Sequence, residues 1–346
     1  MLFRLVICAA IVSAADVFNY GAFTQTATYS IANQLGFFAA YGLDVVYHQV
    51  PNSTAAYASV LSGEYDLLTG SIDNAVNLRF NSGKNLTVLG QLDQGPDLVL
   101  ASIPGITNIS QLIGKPLIVD SPVSGYAYLL RKVLSSYGLA NSDYFFQTVG
   151  GTNLRYADLI GGVLPNGSAV YATILTYPFT AYGEVLPAAQ QPNILARVST
   201  FENPISSSAF TVAQSALDDG DQSDLLVRFL SAMYAANLYL NKFQNQKCAT
   251  KAIQTQLSVT SATAALEYVA ATNLTSGEIS PDKKFTVSQA GLNNIIAVRE
   301  EFGGFSVASD FDFTAATAPG TGKLIDYSLR DKAILILQRK LLSVGC

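Results

Sequence analysis

Histidine occurs once in the 346 residues, at His48, and cysteine three times, at Cys8, Cys248 and Cys346. One imidazole and no closely spaced cysteine pair cannot build a usual zinc site, which needs three or four such ligands. A Ser-His-Asp triad would have to use His48, and no Gly-x-Ser-x-Gly elbow supplies its serine. Neither Gly-x-Gly-x-x-Gly nor Gly-x-x-x-x-Gly-Lys-Ser/Thr occurs, so no dinucleotide or P-loop site is expected, and no cofactor is implied. Charge is also sparse: 13% of residues are Asp, Glu, Lys or Arg, and the net charge is -5. Without a run of Lys or Arg there is no footprint for a nucleic acid and no handle for anionic lipid. The adjacent carboxylates, Asp218-Asp219 and Glu300-Glu301, fall in polar runs and read as solvated charge.

What the chain does contain begins with an export signal. Arg4 precedes the apolar stretch Leu5 to Val12, and small residues follow at Ser13, Ala14 and Ala15. This is the pattern of a cleaved secretory signal over residues 1–15. No later stretch has the ~18 consecutive apolar residues of a membrane span, so a secreted, extracellular and monomeric protein is expected. Cys8 leaves with the signal. If Cys248 and Cys346 pair, the bond closes a loop of nearly a hundred residues and adds up to ~4–5 kcal/mol on the chain-entropy model; two free thiols are the alternative. Asn-x-Ser/Thr triplets begin at Asn52, Asn85, Asn108, Asn166 and Asn273, and point to glycosylation in a eukaryotic secretory route.

After the signal, strand and helix patterns alternate. Val17 to Phe23 reads as a strand, Ala27 to Tyr41 as one helix stopped by Gly42, and Leu43 to Val50 as a strand with period-two alternation. A helix over Ser53 to Leu61, a short strand at Tyr65 to Thr69, a helix over Ser71 to Phe80 and a strand over Leu86 to Leu92 follow. A second unit repeats the pattern from Leu98 to Ile174, and Ser207 to Val212 reads as a strand returning to the first unit. The remainder is helical, with helices expected over 223–242, 260–272, 288–301 and 329–342. Such alternation implies an α/β fold with mostly parallel sheets flanked by helices. Two lobes are expected, one from residues 16–97 with 209–346, the other from 98–208, and the two crossings form a hinge.

Each strand of this alternation ends in small polar residues. They are Thr24, Gln25 and Thr26; Ser71, Asp73 and Asn74; Ser121, Ser124 and Gly125; and Thr152 after Gly151. In open α/β sheets, ligands bind at the carboxyl ends of strands, where helix N-termini offer free N–H groups. Hydroxyls add donors and acceptors, and glycine lets a ligand reach the backbone. Any one of these residues alone would be an ordinary helix cap, and Asp73 in particular would favour a helix dipole. Their recurrence at four strand ends is what points to a site for a small polar or anionic molecule.

Three stretches carry a resemblance. Gly36-Phe-Phe-Ala-Ala-Tyr-Gly-Leu-Asp-Val-Val, Leu61-Ser-Gly-Glu-Tyr-Asp-Leu and Asn108-Ile-Ser-Gln-Leu-Ile-Gly-Lys-Pro-Leu-Ile-Val follow one another in the order and spacing seen in substrate-binding proteins for sulfonates, taurine and thiamine pyrimidines. The chain resembles that branch of the type II periplasmic-binding-protein superfamily, as a secreted, fungal-like member. The resemblance implies two lobes closing on a small solute such as a sulfonate or pyrimidine. The related thiamine-pyrimidine synthases carry Lys and His after the third strand and a Cys-rich run near the return strand. Here Gly70-Ser-Ile-Asp-Asn74 and Ile205-Ser-Ser-Ser-Ala-Phe stand in those places. Schiff-base formation lacks its amine and iron lacks its ligands, so binding without catalysis is the expectation. A secreted interaction or effector protein that kept the fold and lost the ligand is the first alternative, and a divergent thiamine-pyrimidine-synthase-like enzyme using His48 or an acid in the cleft is the second.

Overall fold

The computed structural model describes residues 14–95 and 98–339. Most of the expected signal segment lies outside these residues, and so does Cys346, hence also its pairing with Cys248.

β1 (Asp16–Ala22) leads to α1 (Ala27–Gln34) and a one-turn α2 (Phe37–Ala40), then β2 (Leu43–Gln49), α3 (Ser53–Ser62), β3 (Leu67–Ser71), α4 (Ile72–Ser82) and β4 (Leu86–Gln91). The chain then crosses to β5 (Val99–Ser102), β6 (Pro116–Val119), α5 (Gly125–Ser136), β7 (Phe145–Thr148), α6 (Thr152–Gly161), β8 (Ala172–Leu175), α7 (Phe179–Glu184) and β9 (Asn193–Arg197). It returns in β10 (Ser208–Ala213) and ends in α8 (Gly220–Leu240), α9 (Gln246–Leu257), α10 (Ser261–Ala271), α11 (Gln289–Glu301), α12 (Phe313–Thr317) and α13 (Ser328–Arg339).

Two five-stranded sheets result, ordered β2-β1-β3-β10-β4 and β7-β6-β8-β5-β9. In the first, β1 pairs parallel with β2 and β3, while β10 runs antiparallel to both β3 and β4. In the second, β6 pairs parallel with β7 and β8, while β5 runs antiparallel to β8 and β9. The antiparallel strand in each sheet is the one delivered by a crossing of the chain: β5 on the way out, β10 on the way back. The remaining four strands of each sheet run one way, so their carboxyl ends gather on one edge. This is the two-lobed α/β fold of the periplasmic binding proteins.

The single helix expected over 27–41 is two helices. Leu35 ends α1, and Gly36 takes a left-handed conformation (φ 73°) that an α-helix cannot contain. The turn lets Phe37 and Phe38 both point inward. Phe38 stacks on Phe229 of α8, which also stacks on Phe18 of β1 at 4.4 Å. That aromatic column fixes α8 across one face of the first sheet, and truncating Phe229 to Ala would remove about 3–5 kcal/mol. α8 begins earlier than the hydrophobic pattern suggests, because the Asp219 carboxylate accepts the N–H groups of Asp221 and Gln222. α9 and α7 were not expected, their apolar stripes being short.

Candidate functional site: the cleft between the lobes

The carboxyl ends of the two sets of strands face each other across a cleft. Phe23, Thr24 and Thr26 follow β1; Gly70, Ser71 and Asn74 come from β3 and the start of α4. Opposite them stand Asp120, Ser124 and Tyr126 after β6, Thr152 and Arg155 of α6, and Thr176 and Tyr177 after β8. Asp93 and Ser208, at the two crossings, close the back. The lining atoms enclose about 590 Å³ with the mouth included, but the centre of a water molecule can move through only about 40 Å³ of it. The lobes are therefore nearly shut.

Hydrogen bonds between the lobes hold them so. Gly125 N–H donates to Asn74 Oδ1 at 2.9 Å, Gly151 N–H to Pro51 O at 2.7 Å, and Ser53 donates through N–H and Oγ–H to Asp120 Oδ2 at 3.2 and 2.7 Å. Gly125 has no room for a side chain: a Cβ there would lie 2.7 Å from Ser71 Oγ and 2.8 Å from Asp73 Oδ2.

Six of the ten expected ligand residues line this space: Thr24, Thr26, Ser71, Asn74, Ser124 and Thr152. They differ in what remains free. Thr26 Oγ1 caps α1 by accepting Tyr29 N–H, and Ser124 Oγ caps α5 by accepting Ala127 N–H. Ser71 precedes α4 but makes no side-chain cap, which leaves its hydroxyl available. Four do not line the cleft. Gln25 Oε1 instead accepts Gln256 Nε2 at 2.7 Å, and Ser121 lines a separate groove between α3 and α4. Gly125 stands beside a smaller cavity, as does Asp73. Asp73 is neither a cleft group nor a simple cap, because its carboxylate receives the Arg299 guanidinium, Nε to Oδ1 at 2.9 Å, in a fully buried ion pair. Arg299 also packs on the Tyr128 ring at 4.1 Å and donates to Val123 O.

The strongest cleft group was not among those expected. Arg155 is 1% exposed. Its Nε–H donates to Gly150 O, Nη1 to Thr173 Oγ1 and Ile174 O, and Nη2 to Thr152 Oγ1. That uses four of the five N–H bonds of a guanidinium and leaves one on Nη2. Burial lowers its pKa, and nearby Asp120 raises it in part compensation. Helical spacing could have found Arg155: it shares a face with Leu159, and a cation on a buried stripe is unusual. Asp93 lies on no local motif. Its Oδ1 accepts the N–H groups of Gly95 and Ser208, the latter 115 positions away. Burial pushes its pKa up against those bonds. Tyr126 is shifted up in the same way, by burial and then by Asp93.

His48 takes no part in the lining. Its Nε2 lies 3.0 Å from Asn19 Oδ1 and its ring stacks on Tyr65.

At the α1 end, Ala27 N–H and Thr28 N–H donate to Oε1 and Oε2 of Glu278 at 2.8 and 2.6 Å. Complete burial pushes Glu278 up to about 7 despite those bonds. Beside it, Glu267 is buried with both carboxylate oxygens lacking a hydrogen bond, and its pKa rises by burial and then by the charge of Glu278.

Residues 23–237 match the NMT1/THI5-like family. The chain belongs to it. Among curated proteins no sequence matches this NMT1/THI5-like chain. Solved structures do. The periplasmic nitrate-binding protein of Synechocystis PCC 6803 is 12% identical with a TM-score of 0.71, over 94% of this chain and 90% of that one. The alkanesulfonate-binding protein of Xanthomonas axonopodis pv. citri, bound to MOPS, is 15% identical with a TM-score of 0.64, over 84% and 94%. A desulfurization enzyme is 14% identical with a TM-score of 0.56, over 93% and 99%. At such identities the likeness concerns the fold, which therefore serves binding proteins and an enzyme alike. The span matched to the NMT1/THI5-like family contains all the cleft-lining residues, whereas Glu267, Glu278 and Arg299 lie beyond it.

Proposed function

We propose that this NMT1/THI5-like protein is an extracellular solute-binding protein that closes on a small polar molecule and releases it unchanged. The observation that carries the reading is Arg155: a fully buried guanidinium with one donor left, at the floor of a cleft whose walls come from both lobes. Burying a cation costs several kcal/mol unless its donors are met, so an acceptor on the solute is the natural partner of the last one. Asp93 and Asp120 face the same space and call for donors. A solute presenting both, such as a pyrimidine, suits this lining. The names of the similar nitrate- and alkanesulfonate-binding proteins support a small polar ligand and a setting outside the cytoplasm. The lobes of the proposal are residues 16–97 with 209–346, and 98–208. The mature chain begins after residue 15, and Cys248 pairs with Cys346.

Glycosylation is part of the same proposal. Asn85, Asn108, Asn166 and Asn273 are exposed. Asn52 is half-buried and caps α3 through its Oδ1, which leaves Nδ2 for a sugar.

Native mass spectrometry of the secreted, deglycosylated protein, before and after mild unfolding and refolding, tests the reading. A releasable small-molecule mass supports it and identifies the solute class. A clean apo mass, with no thermal shift across sulfonates, amino acids and pyrimidines, refutes it and favours a secreted interaction protein.

A further inference from the structure

The first N–H groups of a helix, together with its dipole, make a ready site for an anion. At α1, which opens on the cleft through Thr24 and Thr26, that site already holds an anion supplied by the chain. Glu278 takes the N–H groups of Ala27 and Thr28, one on each oxygen, and Thr26 Oγ1 takes that of Tyr29. Glu278 reaches there from about 250 positions away. Asn237 holds it in place, donating through Nδ2 to Glu278 O at 2.7 Å and to Thr28 Oγ1 at 3.0 Å. Among the described residues, no Lys or Arg forms an ion pair with Glu278.

Other protonatable groups, whose neutral forms are favoured by burial, stand at the same end of the cleft. Glu267 is buried and unpartnered. The Tyr177 hydroxyl lines the cleft, is buried, and lies against the Glu278 carboxylate. It feels the charges of Glu278, Asp93 and Glu267, in that order. The cleft's one buried cation, Arg155, has four of its five donors occupied.

We propose that Glu278 is a specificity residue: a tethered carboxylate seated where a solute's negative charge would bind, so that the cleft rejects oxyanions and admits neutral or positively charged polar solutes. This rests on the cleft being a solute site, and it names the solute class. Discrimination comes from repulsion as much as attraction, since an entering oxyanion finds the α1 donors taken, meets Asp93 in the lining, and has Glu278 behind the lining residue Tyr177.

The test measures binding of nitrate and ethanesulfonate, with neutral ethanesulfonamide as the shape-matched control, by titration calorimetry at about pH 8.5 and about pH 5.5. It uses the mature full-length protein and its Glu278→Ala and Glu278→Gln variants, each checked for a cooperative thermal melt. Wild type is expected to bind neither oxyanion below about 10 mM at the higher pH. Glu278→Ala, which frees two N–H groups, is expected to bind at least one of them about tenfold more tightly, and Glu278→Gln to gain less. In wild type, the lower pH protonates Glu278 and is expected to raise oxyanion affinity in the same direction. Oxyanion binding by wild type at the higher pH overturns the proposal, as does a folded Glu278→Ala without gain. Should neither variant fold, the absence of any gain at the lower pH overturns it. Oxyanion binding by wild type leaves the solute-binding reading intact; that reading fails only if no small molecule of any charge binds.

Discussion

Removing the Asp73 carboxylate should strand a buried cation. Arg299 Nε and Nη2 both donate to it, and the two side chains are 5% and 1% exposed. Among the described residues no second carboxylate is bonded to Arg299; its guanidinium also donates to Val123 O and packs on the rings of Tyr128 and Phe305. Breaking such a pair from one side costs about 3–5 kcal/mol, because the remaining charge keeps its desolvation penalty without its counter-charge. Asp73→Ala should therefore lower the unfolding free energy by about that amount, and Arg299→Met by a similar amount, including ~1–2 kcal/mol from the lost contact with Tyr128. The double variant strands nothing, so it should fall short of the sum of the singles by at least ~2 kcal/mol. Urea unfolding followed by far-ultraviolet circular dichroism measures all four corners of the cycle. An Asp73→Ala effect below ~1 kcal/mol, or a double variant equal to the sum, would refute the reasoning.

Three further outcomes follow from the same groups. Glu278 binds a proton more tightly folded (about 7) than its ordinary 4.5, so the stability carried by that proton is complete below about 4.5 and lost as pH rises through about 7. The change is roughly 3 kcal/mol between pH 5 and 8, and unfolding curves should show it in wild type but not in Glu278→Gln; equal slopes would sink the assignment. Glu267→Met replaces an unpartnered buried carboxylate by an apolar chain of similar volume and should stabilise by about 1–3 kcal/mol at neutral pH, read as a higher melting temperature; a lower one would mean that the carboxylate has an unseen partner. Gly125→Ala should leave global stability unchanged or slightly higher, since Ala favours a helix, yet its methyl would strike Ser71 and Asp73 of the other lobe. Solution scattering should report a larger radius of gyration and calorimetry a solute affinity at least about tenfold weaker; an unchanged radius would show that closure does not depend on this approach.

The alternation of strands and helices was legible because each element carries a local pattern: β2 by its period-two burial, α5 and α6 by their apolar stripes and small capping residues. Its order implied that strand ends would converge, and Thr24, Thr26, Ser71, Asn74, Ser124 and Thr152 do meet in one cleft. What local pattern could not reveal is which of them keep a free group. Thr26 and Ser71 look alike as residues before helices, yet one hydroxyl is engaged as a cap and the other is not. Asp73 looked like a cap or a ligand group because its partner, Arg299, is 226 positions away. Arg155 was the exception, a cation on a buried helical face that spacing alone could have flagged.

The same distinction separates the shape of the cleft from its charge. Shape follows from strand ends, turns and caps, each set within a few residues, and all of those lie within 23–237. Charge does not. Glu278 and Glu267, on the connection after α10 and on α10 itself, reach the α1 end only because α1 packs against α8, α9 and α10. A helix N-terminus that invites an anion on local grounds can thus be filled by a side chain about 250 positions away. If Glu278 selects by charge as proposed, two proteins of this fold could share every strand-end hydroxyl and still prefer solutes of opposite charge, according to whether the C-terminal region delivers a carboxylate to the start of α1.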